Sequence, residues 1–362
     1  VNQAEAKRIL DAYNANGQNA SALCDMLNCT PGTARRRVQI AKMVASGPAP
    51  VQDVAPAVQF PDQRKPINDF RDLLRHGADV RDFRDKSNPS QQYGTVDLSE
   101  HDGPIGIMTM SDVHIGSPQC DYYSLLRHIG YLADIPNLYA ISQGDLVEGG
   151  IQQKHMDATL SQVFPPQMQM RAVQSMWKAL LGKILAVIKG NHDNYDYRFS
   201  GVDLTEFLVE SLGQRGLYMK DGGTLIIKMA GVEYSWRVKH GDMMPGNSMY
   251  SATAGMQRHA RMNAGWHDIQ SSGHTHTAEV TFSEQPRSDG RGMQPTLVMR
   301  SGTYKIFGDE EYSDRAGFAK PSQVLMPAVI LFPREKRMIP FLRVEDCVEV
   351  LLSLNKAKKR AA

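Results

Sequence analysis

Five short blocks of the sequence carry side chains that bind metal ions or move protons. They are Asp112-Val113-His114, Gly144-Asp145-Leu146-Val147-Glu148, Gly190-Asn191-His192-Asp193, His240-Gly241-Asp242 and Gly273-His274-Thr275-His276. Carboxylates, an amide and imidazoles, with no thiolate among them, form a donor set for Mn, Fe, Zn or Co rather than for soft copper. The imidazoles argue against a native Ca or Mg pair. On an extended segment, side chains two apart share a side, so Asp112 with His114, and His274 with His276, are each expected to present two donors to one volume. Gly144, Gly190 and Gly273 allow tight turns and close backbone approach beside them. Each block alone is a weak signal; five in order are a strong one.

The blocks need elements to position them, and each follows an apolar run. Ile105 to Met110, Leu138 to Ile141 and Ile184 to Lys189 read as strands separated by helical patterns near Tyr122 to Leu132 and Met168 to Leu181. Strand-helix alternation of this kind predicts an α/β domain, and in open α/β sheets ligands bind beyond the carboxyl ends of the strands. Runs at Thr224 to Met229, Val232 to Lys239, Thr296 to Met299 and Ala328 to Phe332 predict further strands and a mixed or second sheet.

The order D-x-H, G-D-x-x-E, G-N-H-D, a separate His and G-H-x-H resembles the calcineurin-like metallophosphoesterase superfamily over about residues 104 to 280, with Glu148 where that family usually has Asp or Asn. The resemblance implies a four-layer sandwich, an α/β (α+β) fold of two mixed sheets flanked by helices. It implies one divalent ion held by Asp112, His114, Asp145 and His276, a second held by Asp145, Asn191, His240 and His274, and Mn as the expected metal, with Fe, Zn or Co open. His192 would protonate the leaving oxygen, oriented by Glu148, while the two ions activate a bridging hydroxide for attack on phosphorus. Gly149 and Gly150 stand where the protein-phosphatase branch places an Arg.

Ahead of this region, residues 1–46 read as a small all-α domain resembling a helix-turn-helix. Asn19 and Thr30 act as caps, Pro31 takes a first helical position, and Arg35, Arg36 and Arg37 on the second helix are candidate nucleic-acid contacts. Residues 47–102 read as a Pro-rich linker, a charged helix over Phe70 to Arg84 and a polar loop. Residues 103–343 form the phosphoesterase-like domain, and 344–362 a C-terminal helix with a basic tail. The 41 Lys plus Arg against 39 Asp plus Glu leave +2, so binding to a polyanion has to be local. The four cysteines lack C-x-x-C spacing and are expected to be buried thiols. No apolar run is long enough for a membrane span, so a cytoplasmic protein is expected, free or in the host of a phage. The arrangement resembles phage-encoded metallophosphoesterases and the nuclease branch that serves DNA repair. A metal-dependent DNA nuclease is therefore the leading expectation, with DNA as partner and a homo-oligomer open. A phosphatase or phosphodiesterase for small-molecule or protein substrates, and a DNA-binding or assembly protein with a structural phosphoesterase domain, are the alternatives.

Overall fold

The computed structural model describes residues 2–46, 70–87, 92–149, 161–194, 197, 201–241, 251–262, 267–287, 291–306 and 323–361. The Pro-rich stretch 47–69, Lys154, His155 and Asp242 lie outside them. The chain divides into two compact units, Val1–Asp79 and Val80–Ala362.

In the first unit, α1 (Gln3–Ala15) starts at Asn2, whose side chain accepts from the Glu5 amide. A 3-10 turn over Ala20–Leu23, capped by Asn19, runs into α2 (Cys24–Leu27), and α3 (Pro31–Ala45) follows. Asn28 makes the bend between α2 and α3 at φ 45°, a left-handed conformation that asparagine tolerates better than most residues. Ala6, Ile9, Leu23, Leu27, Ala34, Val38 and Ala41 form one core. Cys24 and Cys29 are half-buried here rather than buried, since a three-helix unit of this size has little interior to spare; Cys120 and Cys347 are buried as expected.

The second unit holds two six-stranded mixed sheets. One has the order β12-β11-β2-β3-β4-β5, built from β2 (Ile105–Met110), β3 (Leu138–Ser142), β4 (Ile184–Ile188), β5 (Tyr218–Met219), β11 (Ala328–Leu331) and β12 (Met338–Phe341). The other has the order β1-β6-β7-β8-β10-β9, from β1 (Tyr93–Asp97), β6 (Gly223–Met229), β7 (Val232–Lys239), β8 (Ile269–Ser272), β9 (Glu279–Pro286) and β10 (Met293–Arg300). Alternation along β2 explains the layering. Ile105 and Ile107 join Trp236, Ile227, Ile269 and Met299 between the sheets, whereas Met108 and Met110 face a second core with Leu125, Val173 and Trp177. The charged stretch expected to be helical is α4 (Phe70–Ser87), and the outer core carries α5 (Tyr122–Asp134), α6 (Pro166–Ala179), α7 (Leu204–Ser211) and α9 (Val344–Ala361). A further helix, α8 (Ala254–Met262), precedes β8.

β2, β3 and β4 are mutually parallel, as are β7, β8 and β10, so each set ends its strands along one edge. β1 lies in the stretch expected to be loop. It pairs in parallel with β6 at the sheet margin, where only alternate residues are half-buried, which is why a polar Tyr-Gly-Thr-Val-Asp run suffices.

Candidate metal centre

Where β2 and β3 end, the chain leaves the extended conformation. Eight non-glycine positions among the described residues have positive φ, and five of them are Asp112 (51°), His114 (52°), Asp145 (52°), His274 (87°) and His276 (59°). Asp112 and His114 therefore do not share a side by strand alternation; left-handed bends aim them. Each such bend costs about 1–2 kcal/mol for a residue with a Cβ, so the surroundings must impose it. They do so through cross-links between loops. The Asp112 amide donates to Gly144 O (3.0 Å), that of His114 to Asp145 O (3.0 Å), and that of His274 to Asp112 Oδ2 (2.9 Å). Thr303 Oγ1 and the Tyr304 amide both donate to Asp112 O. Two glycines are required by contact: a Cβ on Gly190 would collide with the Asp145 carboxylate, and one on Gly273 with Ser111 Oγ.

Three groups of side chains have one ligand atom each within 4.8 Å of the others: Asp112, His114 and His276; His114, Asp145 and His192; and Asp145, His240 and His274. Asp145 belongs to two of them. Asn191 Oδ1 lies 3.0 Å from His240 Nε2, and Asp145 Oδ2 3.3 Å from the same nitrogen. The seven residues expected to hold metal are thus gathered from five loops.

The donor set fits a cation. His114 Nε2 and His276 Nε2 face each other at 3.2 Å, with Asp112 Oδ1 3.2 Å from the latter and 4.0 Å from the former. Asp112 Oδ1 is buried without a well-formed hydrogen bond. A proton on His276 Nε2 can serve His114 Nε2 or Asp112 Oδ1 but not both well, whereas a cation would satisfy all three.

Electrostatics point the same way. Burial raises the Asp112 and Asp145 pKa values, but the neighbouring imidazoles outweigh it, holding Asp112 at about 2 and Asp145 well below the usual range. Burial depresses His114 to about 4, and His274 is lowered by burial and by His240. Both carboxylates are therefore ionised and these two imidazoles neutral, the forms that bind metal. His240 differs: the Asp145 charge outweighs burial and pushes it up to about 10. Its Nδ1 donates to Gln143 O (2.7 Å), which turns Nε2 toward Asp145 and Asn191.

Glu148 does something other than expected. Its carboxylate lies 3.0 Å from His114 Nδ1 and 3.3 Å from Lys305 Nζ, and it is the main-chain carbonyl of Glu148 that accepts from His192 Nδ1 (2.8 Å). The longer side chain thus reaches a residue of the first block. Asp193 is structural: its Oδ1 accepts from the Leu146 amide (3.0 Å) and its Oδ2 from that of Gly190 (2.9 Å), tying the second block to the third.

Sequence reasoning missed Lys305 and Arg300. Arg300 is buried and donates to Gly273 O (3.0 Å), immediately before His274. Both flank the polar run Ser301-Gly302-Thr303 that follows β10, a sixth strand end of the same character as the other five. Of the three arginines expected to contact nucleic acid, Arg35 and Arg36 are exposed, whereas Arg37 is half-buried and donates to Leu27 O (3.3 Å) at the end of α2.

No helix among the described residues is long and apolar enough to cross a membrane. No protein-family model and no curated protein matches the sequence. Among solved structures, a calcineurin-like phosphoesterase, YfkN from Bacillus subtilis, aligns at 13% identity and a TM-score of 0.31, over 63% of this chain and 85% of that one. Vps29 from Chaetomium thermophilum aligns at 8% identity and a TM-score of 0.29, over 66% of this chain and 96% of that one. Neither alignment assigns a role to any residue of this chain.

Proposed function

We propose that the chain is a metal-dependent phosphoesterase of the calcineurin-like kind that hydrolyses phosphodiesters, with DNA as its substrate. The observation that carries this reading is the gathering of two carboxylates, an amide and four imidazoles from five strand-end loops into overlapping groups of ligand spacing. Asp112, His114, Asp145 and His276 would hold one divalent cation, and Asp145, Asn191, His240 and His274 a second. Such ions supply Lewis-acid charge for phosphoryl oxygens and lower the pKa of water.

The protein's own part centres on His192. A carbonyl can only accept, so the bond to Glu148 O places one proton on Nδ1 and fixes the ring; as an imidazolium it would give its second proton, on Nε2, to the leaving oxygen and be left neutral with Nδ1 still protonated. The ring packs edge-on against His114, centroids 4.6 Å apart, which keeps it beside the donors. Asp193 holds the loop that carries it. The Glu148 carboxylate orients His114, the usual arrangement of a carboxylate behind a metal-binding imidazole, while its carbonyl orients His192.

DNA is favoured over other phosphodiesters by the first unit. The helix after its Asn28 bend, α3, exposes Arg35 and Arg36 near its N-terminal end, the part of such a helix that meets base edges and phosphates. Two measurements test the reading: metal content of purified protein, and hydrolysis of bis(4-nitrophenyl) phosphate and of labelled oligonucleotides in Mn. Bound metal with turnover of both, abolished by Asp145→Asn, is expected. Absence of metal and of turnover would overturn it. Turnover of the small diester alone would remove DNA.

A further inference from the structure

Gln143 directly follows β3 and is fully buried, as are the side chains it touches. Its amide spans from Ser271 Oγ at one end to Ser301 Oγ (2.8 Å) at the other. Ser271 Oγ also accepts from Trp236 Nε1 (2.7 Å). Ser301 Oγ lies 2.8 Å from Thr109 Oγ1, whose hydroxyl donates to Pro327 O (3.0 Å). Trp236 and Ser271 lie on β7 and β8, and Ser301 directly follows β10, all in one sheet; Thr109 lies on β2 and Gln143 follows β3, in the other. A chain of hydrogen bonds thus crosses between the sheets, in an interior otherwise filled by Ile107, Ile141, Ile269 and Met299.

Apolar side chains of like volume would fill that space without desolvating an amide and three hydroxyls. What directional bonds add is a fixed position, and the group they fix is the Gln143 peptide. Its carbonyl accepts from His240 Nδ1 (2.7 Å), and its amide nitrogen donates to Met110 O (2.7 Å). The imidazole lies hard against this peptide, since a Cβ on Gly144 would stand 2.8 Å from His240 Nδ1. Asp145, two residues on, has Oδ2 3.3 Å from His240 Nε2. Asp145 comes from one sheet and His240 from the other. Gln143 stands between them, with its main chain on the first sheet and its side chain anchored on the second.

We infer that Gln143 is a positioning residue of the centre: its side chain holds the carbonyl that sets the His240 ring, and with it the spacing of His240 from Asp145 and Asn191. This rests on the metal-dependent reading above. It gives the second cation position a support that lies in the core between the sheets rather than among the ligands.

The test compares the full chain as wild type, Gln143→Met and Ile141→Val. Methionine keeps the length and the main-chain carbonyl and removes both side-chain hydrogen bonds. Valine at 141 loosens the same core from the same strand without touching the hydrogen-bond chain. Mn binding is followed by titration calorimetry and by EPR of the loaded protein, and unfolding in EDTA by scanning calorimetry. Wild type is expected to bind two ions and to give the broad spectrum of an exchange-coupled pair. Gln143→Met is expected to weaken one binding step about 10- to 100-fold, as loss of support behind a ligand does, and to keep the other. Its spectrum becomes the resolved hyperfine pattern of an isolated ion. Ile141→Val is expected to unfold earlier in EDTA and to keep both steps and the coupled spectrum. Should Gln143→Met fail to fold, Ser301→Ala, which frees one end of the amide, is expected to show the same selective loss at about two- to tenfold. Unchanged steps and spectrum in the folded variant, or both steps weakened by the same factor, overturn the role. A wild type that binds fewer than two ions removes the two-cation reading and this role with it. A bound pair that does not hydrolyse bis(4-nitrophenyl) phosphate removes the phosphoesterase reading alone and leaves Gln143 its role.

Discussion

At Glu148 a side chain one carbon longer than aspartate connects three residues that are remote in sequence. Its carbonyl serves His192, and its carboxylate serves His114 and Lys305. These tasks separate on substitution, because Glu148→Gln keeps the carbonyl and removes the charge. Affinity for Mn should then fall about 10- to 100-fold, the usual effect of losing a carboxylate behind a ligating imidazole, as titration calorimetry would show. A loss of kcat at unchanged Mn affinity would instead assign the carboxylate to His192. His192→Ala should show that opposite pattern, with kcat down about 10²- to 10⁴-fold and Mn affinity retained. This division was not legible in the sequence. The spacing of Gly144, Asp145 and Glu148 identified the block, but the reach of the carboxylate depends on Lys305, 157 positions away, and no local pattern announces a partner at that distance. The left-handed bends at Asp112 and His114 were equally hidden, since neither residue type requires one.

Elements were easier to read than their margins. β2, β3 and β4 were visible as apolar runs because both faces are buried, whereas β1 buries part of one face and looks polar. α9 shows how an element far along the chain is fixed. Val344, Cys347, Val348 and Leu351 join the outer core, and Glu345 accepts from His128 Nε2 (3.1 Å) and Arg127 Nη2 (3.4 Å) of α5. Burial raises the Glu345 pKa, but the hydrogen bond and charge of His128 outweigh it and hold the carboxyl at about 2, below its ordinary 4.5. A carboxyl depressed on folding adds stability that is complete above its unfolded value and disappears as pH falls toward the folded one. The wild type should therefore lose its advantage over Glu345→Gln between about pH 4.5 and 2, read as converging urea midpoints. A difference that stays constant over that range would mean that packing, not charge, holds the helix. In the first unit the arginines divide in a similar way. Arg37→Ala should cost about 1 kcal/mol of stability through the lost bond to Leu27 O, and Arg35→Ala with Arg36→Ala should weaken duplex DNA binding at unchanged stability.

At the scale of the whole chain, the candidate centre is a place where folding has concentrated strain: five left-handed residues, two imidazole nitrogens facing each other at 3.2 Å, and a buried carboxylate oxygen without a well-formed hydrogen bond. A divalent cation would use or relieve each of these features. Ligand that binds only the folded state stabilises it by about 2.7 kcal/mol at a hundredfold excess over Kd. For a unit of more than 200 residues, each kcal/mol moves Tm by about 2–4 °C, so Mn should raise the transition by about 5–10 °C over the EDTA-treated protein. The first unit has its own core and supplies none of the candidate ligands, so stability changes confined to it, such as Arg37→Ala, should leave the Mn-induced rise intact. Asp145→Asn removes the one carboxylate common to two of the ligand groups and should abolish the rise, while Asp203→Asn, which breaks the buried pair with Lys189, should lower both curves and preserve their separation. Scanning calorimetry of the wild type and the three variants with and without Mn distinguishes these outcomes. A wild-type transition indifferent to Mn would show that the strained loops serve something other than a metal.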